Sequence, residues 1–483
     1  MNKPLRRVAV ACLVLFGLLL INVNYQQFVL ADDRRNDPAN RRVLLEEYST
    51  ARGPILVQGQ SIAKSVVTPD DLKYQREYAN GPLYAPVTGY YSFIYGASGI
   101  EAAEREVLAG TDDRLFVGRV ADLLTGEKPG GGSVVLTLNA AAQQAAYDGL
   151  QGQVGAVVAI APKTGAILAM ASNPSYDPNV LSSHDGVAIQ DAWQMLNADP
   201  AKPMLNRALR ETYPPGSTFK IITAAAALST TNYNPETVVP APRVLDLPGT
   251  TADLPNQGGE SCSSTGQISL RDALRISCNT AFGGLGMKLG GDALQAQAEK
   301  FGFDATVDIP MTSAESVFPS DLTEAQEAQT AIGQFDVRAT PLQMAMMVAG
   351  VANDGVVMKP YLVQEVRAPD LTPLQTAEPE QLSEAVTPAV AEQLQSMLVT
   401  VVQSGTGTNA QIDGVTVGGK TGTAQSAPGK PPYAWFVAFA PVEDPQVAVA
   451  VLIESANVAP TDISGGRLAA PIAKAVMLAV LGQ

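Results

Sequence analysis

Tyr213-Pro-Pro-Gly-Ser217-Thr-Phe-Lys220-Ile-Ile-Thr-Ala-Ala-Ala-Ala-Leu228 is the stretch on which the fold turns. Two prolines and a glycine cannot continue a helix backward, so one begins here. From Phe219 onward the run is apolar on nearly every face apart from Lys220, the mark of a buried helix. A spacing of three sets Ser217 and Lys220 on one face with adjacent side chains. Burial and the positive helix N-terminus both disfavour the ammonium form of Lys220. A neutral lysine there can take the serine proton and activate the nucleophile. The backbone N–H of Ser217 is an orphan donor suited to an oxyanion.

Two further motifs follow in order. Ser277-Cys-Asn279 comes after an amphipathic stretch, Ser269 to Ile276. A hydroxyl and a carboxamide two positions apart suit a loop that projects both into a cleft. Ser277 would relay a proton to a leaving amine, and Asn279 would hold Lys220 and a substrate amide. Lys420-Thr-Gly-Thr423 comes after Val415-Thr-Val-Gly-Gly419, an alternating strand ending in glycines. Gly422 would let an extended peptide pair with that strand, while Lys420, Thr421 and Thr423 offer a charge and hydroxyls to a carboxylate. In this order the motifs are the parts of a serine acyl-transfer site with lysine as base. Each pattern alone is weak. Ser61-Ile-Ala-Lys64, Lys163-Thr-Gly165 and Ser455-Ala-Asn457 repeat them out of order and out of context. The one histidine, His184 beside Asp185, reads as a loop residue rather than a catalytic one.

Outward from the motifs the chain reads as α/β in the α+β sense. Val134 to Leu138 is a short strand and Ala140 to Leu150 has helical spacing. Val157 to Ala161 and Ala166 to Ala171 form a hairpin across Pro162-Lys-Thr-Gly165, and Tyr433 to Ala440 with Gln446 to Glu454 form another. The middle, Ala188 to Val351, is largely helical, and Arg467 to Leu481 makes a closing apolar helix. Strands at both ends with helices between predict one antiparallel sheet flanked by a helical region. Residues from about Val43 to Thr125 read as a small mixed module, and Lys128-Pro-Gly-Gly-Gly132 as a flexible break. The expected division is a tail over 1–7, a membrane anchor over 8–30, a pedestal over 31–132 and a catalytic domain over 133–483.

Lys3, Arg6 and Arg7 precede Val8 to Val23, whose one polar residue is Asn22. The basic flank marks the cytoplasmic side, which places the rest outside the cytoplasm. Val8 to Leu30 spans about 34 Å as a helix, enough to cross a bilayer. A cleaved secretory signal ending near Val29-Leu30-Ala31 is the other reading, and both export the main domain. A charged juxtamembrane stretch, Asp32 to Asp37, leads into a linker, Pro38 to Arg42. Net charge is −15, from 47 acidic against 32 basic residues, which repels phosphate backbones and argues against nucleic acid. One His and three Cys give no metal-ligand cluster of familiar spacing, and no cofactor is expected. Cys12 lies in the apolar segment as a small hydrophobe. Cys262 and Cys278, an even pair in an exported region, are expected to form a disulfide that holds the second motif. Two buried thiols too far apart to bond are the alternative.

The chain resembles the penicillin-binding proteins, the serine peptidoglycan transpeptidases. Beyond the three motifs the resemblance runs through Arg52-Gly53, Asn173-Pro-Ser-Tyr-Asp-Pro-Asn179, Asn206-Arg207, Tyr213-Pro-Pro-Gly216, Ile332-Gly-Gln334 and Ala339-Thr-Pro341. It is closest to the short class B type called penicillin-binding protein A. The resemblance implies the penicillin-binding/β-lactamase-like fold, an antiparallel sheet sandwiched by helices with an all-helical subdomain. It implies that Ser217 forms the acyl-enzyme, Lys220 is the base, and Ser277 and Asn279 assist. It also implies that Lys420, Thr421, Gly422 and Thr423 bind substrate, the N–H of Thr423 completing the oxyanion hole. Stem peptides ending in D-Ala-D-Ala are then the substrates, β-lactams the inhibitors, and a separate membrane polymerase of the SEDS type the partner, since the pedestal leaves no room for a glycan-polymerising domain. Cys278 departs from what many relatives carry.

Three other functions compete. A β-lactamase of this fold needs a base for deacylating water, and no Glu-x-x-x-Asn pattern occurs between Ser277 and Lys420. A β-lactam sensor would carry several spans or a signalling domain. A D,D-carboxypeptidase shares every motif; the anchor and pedestal favour transpeptidation.

Overall fold

The computed structural model describes residues 3–30, 45, 47–115, 130–426, 430–459 and 462–483. The charged stretch and linker from Asp32 to Arg42, and residues 128–129 of the expected break, lie outside them. The first helix, α1 (Lys3–Asn24), continues as a π-helical turn over Tyr25–Val29. Its 27 residues reach about 40 Å, and among the described residues it is the one helix long and apolar enough to cross a bilayer.

Beyond α1, β1 (Ile55–Val57), β2 (Gln60–Val67) and β3 (Tyr74–Tyr78) are followed by β4 (Ser133–Leu136), α2 (Ala140–Gly149), β5 (Gln153–Ile160) and β6 (Ile167–Asn173). Helices α3 (Lys220–Thr230), α4 (Leu270–Arg275), α5 (Asn279–Leu289) and α6 (Pro341–Ala352) fill the middle. The chain then adds β7 (Val363–Arg367), β8 (Pro373–Thr376), α7 (Pro388–Ser404), β9 (Gly418–Ala424), β10 (Tyr433–Ala440), β11 (Val447–Ala456) and α8 (Ala470–Leu481).

The expected antiparallel sheet is present, in the order β9-β10-β11-β5-β6. Its central strands are buried on both sides, which is why they read as continuous apolar runs. Period two assigns their side chains to two cores. Val157, Phe436, Val449 and Val451 meet Ile472, Ala473 and Val476 of α8 on one face. Val158, Val437, Ala450 and Leu452 belong to the larger core with Ile221, Ala224 and α6 on the other. Helix α6 is buried at every position, so no amphipathic stripe announces it.

The pedestal departs from the expected boundary at residue 132. Its six-stranded sheet runs β8-β7-β4-β1-β2-β3, so β4, β7 and β8 from beyond that boundary complete it. β1 pairs with β4 in parallel, and β4 pairs with β7 antiparallel. A three-stranded pedestal sheet would leave the β1 edge open, and the later strands close it.

Candidate active site

The serine turn is held by backbone contacts that admit no side chain. Tyr213 N and O pair with Ala339 O and N at 2.9 and 2.9 Å, and Gly216 N donates to Gly333 O at 2.9 Å. Gly216 has φ +55°, and a Cβ there would stand 2.9 Å from Thr423 O, so glycine alone brings the turn against β9. Residues Gly216–Phe219 form a 3₁₀ turn before α3. Side chains at i and i+3 eclipse in that geometry, which sets Ser217 against Lys220. Phe219 anchors the turn between Phe303 and Phe318, with ring centroids 5.8 and 5.9 Å away.

Lys220 is fully buried. Its Nζ donates to Ser277 O at 2.7 Å, to Asn279 Oδ1 at 2.7 Å and more weakly to Ser277 Oγ at 3.3 Å, and lies 5.6 Å from the Phe282 ring centroid. Burial first, and the Lys420 charge second, hold its pKa well below the ordinary lysine value.

Ser277 sits between two helices rather than in an open loop. Its φ is +63°, and the bonds Ser277 N to Leu274 O (3.2 Å) and Cys278 N to Ala273 O (2.8 Å) close α4 as a Schellman turn. Serine occupies the place where glycine is usual, at a conformational cost of about 1–2 kcal/mol. Asn279 is already the first residue of α5. Cys278 between them is bonded to Cys262, with Cα atoms 5.9 Å apart.

The third motif lies inside β9, not after a strand, because the pairing with β10 runs from Gly418 to Ala424. Lys420 is fully buried and its Nζ donates to Ser277 Oγ at 2.9 Å and Thr421 O at 2.8 Å. Burial lowers its pKa to about 7. The expectation that Lys420 offers its charge directly to a carboxylate is corrected: its head is spent on the second motif. Thr421 is buried and shares a 2.6 Å hydrogen bond with Thr406 Oγ1, whereas Thr423 is half-buried. A Cβ on Gly422 would meet Pro215 O at 2.9 Å and Thr218 Cγ2 at 3.0 Å, so glycine here serves packing against the serine turn.

Lys220, Ser277, Asn279 and Lys420 are thus joined by hydrogen bonds that reach across 57, 59 and 143 positions of the chain, with Ser217 in the 3₁₀ turn just before Lys220. The decoys stay apart: Ser61 and Lys64 lie in β2, and Lys163 pairs with Asp444. His184 Nδ1 meets Asp70 Oδ2 at 2.6 Å beside the rings of Tyr48 and Phe93 in the pedestal region. Two side chains without a motif enter the site, Thr406 and the buried Asn256, which bonds the N–H of Asn279. Neither has a spacing signal in the sequence.

The penicillin binding protein transpeptidase domain family matches residues 155–478, and the penicillin binding protein A dimerisation domain family matches residues 52–134. The chain is 48% identical to the peptidoglycan D,D-transpeptidase PbpA of Mycolicibacterium smegmatis, covering 100% of both chains. It is 46% identical to the enzyme of the same name from Mycobacterium tuberculosis H37Rv, covering 100% of this chain and 99% of that one. Among solved structures, the ceftriaxone acyl-enzyme complex of penicillin-binding protein A from M. tuberculosis superposes with a TM-score of 0.88 at 45% identity, covering 90% of this chain and 100% of that one.

Proposed function

Because the chain belongs to the penicillin-binding protein transpeptidase family, in the class B PbpA type, we propose that it is a peptidoglycan D,D-transpeptidase that penicillins acylate. The observation that carries the chemistry is Ser277 Oγ held between two buried lysines, 3.3 Å from Lys220 Nζ and 2.9 Å from Lys420 Nζ. Ser217 Oγ attacks the carbonyl of the penultimate D-Ala while neutral Lys220 takes its proton. The N–H groups of Ser217 and Thr423 receive the oxyanion. As the tetrahedral adduct collapses, a proton passes through Ser277 to the departing D-Ala amine, leaving an ester on Ser217. An acceptor amine then attacks the ester, its proton passes by way of the lysine pair to Ser217 Oγ as the ester bond breaks, and the cross-linked peptide leaves with the serine restored. A β-lactam follows the first half: its amide opens onto Ser217 and no leaving group departs.

The supporting electrostatics are simple. A charged lysine cannot accept a proton, and burial removes the charge from Lys220. Lys420, whose pKa burial lowers to about 7, keeps part of its charge near neutrality, available to favour the developing anion. Asn279 fixes Lys220, and the free edge of β9, the last strand of its sheet, receives the peptide near Thr423 as an added strand. The N-terminal helix anchors the protein in the cell membrane, with Lys3, Arg6 and Arg7 cytoplasmic and the catalytic domain outside. The N-terminal module, its sheet completed by β4, β7 and β8, serves as pedestal, the rest of the chain beyond residue 132 serves as catalytic domain, and the partner is a separate SEDS-type glycan polymerase.

A D,D-carboxypeptidase would use the same residues with water as acceptor. Mass spectrometry of protein treated with penicillin and then with stem peptides ending in D-Ala-D-Ala tests both. The expected result is a penicilloyl adduct on Ser217 and, with an amine acceptor present, a cross-linked dimer. Trimmed peptide with no dimer at saturating acceptor would favour the carboxypeptidase.

A further inference from the structure

Helix α5, which begins at Asn279, lacks a cap of its own. Cys278 holds the N-cap position, its sulfur is committed to Cys262, and its side chain makes no capping bond. The first N–H groups of a helix have no partner within it. Here the buried side chain of Asn256 supplies one from outside: Oδ1 accepts from Asn279 N at 2.9 Å and from Thr280 N at 3.1 Å. Its Nδ2 donates to Glu260 O at 3.1 Å and Arg243 O at 3.4 Å, so only one orientation of the carboxamide satisfies all four contacts.

The neighbouring carbonyl completes the arrangement. Pro255 O accepts from Asn279 Nδ2 at 3.1 Å, which turns Asn279 Oδ1 toward Lys220 Nζ at 2.7 Å. Backbone and side chain of Asn279 are thus both held by residues 255–256, and the disulfide sulfur of Cys278 lies 3.6 Å from the same Asn256 Oδ1. The groups that face Lys220 are Ser277 and Asn279, Phe282 of α5 and Lys420 of β9, and no carboxylate is among them. Small displacements of Asn279 therefore act on Lys220 without a stronger partner to mask them.

We propose that Asn256 is a positioning residue for acyl transfer: it caps α5 from outside and holds the Ser277–Asn279 turn in register with Lys220 and Lys420. The inference rests on the acyl-enzyme reading above and adds to it a residue outside the three motifs.

The test is the rate of acylation by a fluorescent penicillin across pH, on full-length protein in detergent micelles, for wild type, Asn256→Ala and Asn256→Asp. Asn256→Ala should slow acylation on the order of 10- to 100-fold, the scale of a misplaced catalytic group. It should also move the midpoint of the rising limb to lower pH, because Lys220 loses an acceptor that favours its ammonium form. Asn256→Asp keeps an oxygen for both N–H groups but turns its second oxygen on Glu260 O and Arg243 O, and should recover part of the rate. Its added negative charge should move the midpoint to higher pH. A merely structural role would produce no such opposite shifts. Wild-type acylation by Asn256→Ala, or equal slowing of both variants with an unmoved midpoint, would overturn the inference. Should Asn256→Ala not fold, Asn256→Asp with a wild-type midpoint overturns it alone. An unlabelled wild type would instead overturn the acyl-enzyme reading, and this inference with it.

Discussion

Two buried clusters of charge in this molecule are built on opposite principles. In the pedestal, Glu101 is fully buried between Arg52 and Arg76, with Nε–Oε distances of 2.6 and 2.6 Å, and Tyr78 OH donates to it at 3.2 Å. Glu47 adds a second carboxylate 3.8 Å from Arg52. Burial works to raise the Glu101 pKa, but the two arginines outweigh it and hold the carboxyl below its ordinary range. In the catalytic region two lysines are buried with hydroxyl, carbonyl and carboxamide partners and no carboxylate. There burial wins and both pKa values fall. Balanced charge makes a fixed strut; unbalanced charge leaves amines that part more readily with a proton.

Five measurements bear on that contrast. Ser217→Ala should abolish penicillin labelling while the fold persists, read as an unchanged melting temperature. Stoichiometric labelling of the folded variant would reassign the nucleophile, with Ser61 of β2 the next suspect. Lys220→Arg should slow acylation by about 10²–10⁴-fold, since arginine stays charged and cannot accept the proton. A wild-type rate would separate the buried lysine from proton abstraction altogether.

The pedestal should respond in the other currency. Glu101→Ala leaves two buried arginines without their shared partner and should cost about 3–5 kcal/mol of stability by denaturant titration. The acylation rate of the fraction still folded should be unchanged; a specific rate loss would join the two clusters that are here treated as separate. Reduction of Cys262–Cys278 should cost less, about 3 kcal/mol for closing a loop of 16 positions. It should slow acylation more than it lowers the melting temperature, because that bond holds the second motif rather than the core.

Spread over the widest range of conditions is the pH dependence of stability, with opposite windows for the two clusters. Lys220 and Lys420 have folded pKa values below the unfolded value of about 10.4, so between about 7 and 10.4 the unfolded chain binds more protons and their contribution to stability rises with pH. Glu101 has a lowered folded pKa, so its contribution is complete above the unfolded value of about 4.3 and fades as pH falls through the folded one. Lys420→Met should flatten the alkaline slope and leave the acid limb alone.

What the sequence by itself determined is whatever short-range pattern encodes. The serine turn and its buried helix follow from Pro214, Pro215, Gly216 and an unbroken apolar run; the two hairpins follow from apolar segments around Pro162 to Gly165 and Pro441 to Pro445. The three motifs were legible because each lies within four consecutive residues. Tertiary structure decided how they meet. That Lys420 is buried and turned to Ser277 across 143 positions, that Asn256 caps a helix 23 positions later, and that β7 and β8 complete the pedestal sheet are products of packing. Such contacts join segments with no shared period, and burial of a lysine is a property of what covers it. For Lys420 no local pattern carries that information, because the desolvation that tunes it exists only once the strands and helices have closed over it.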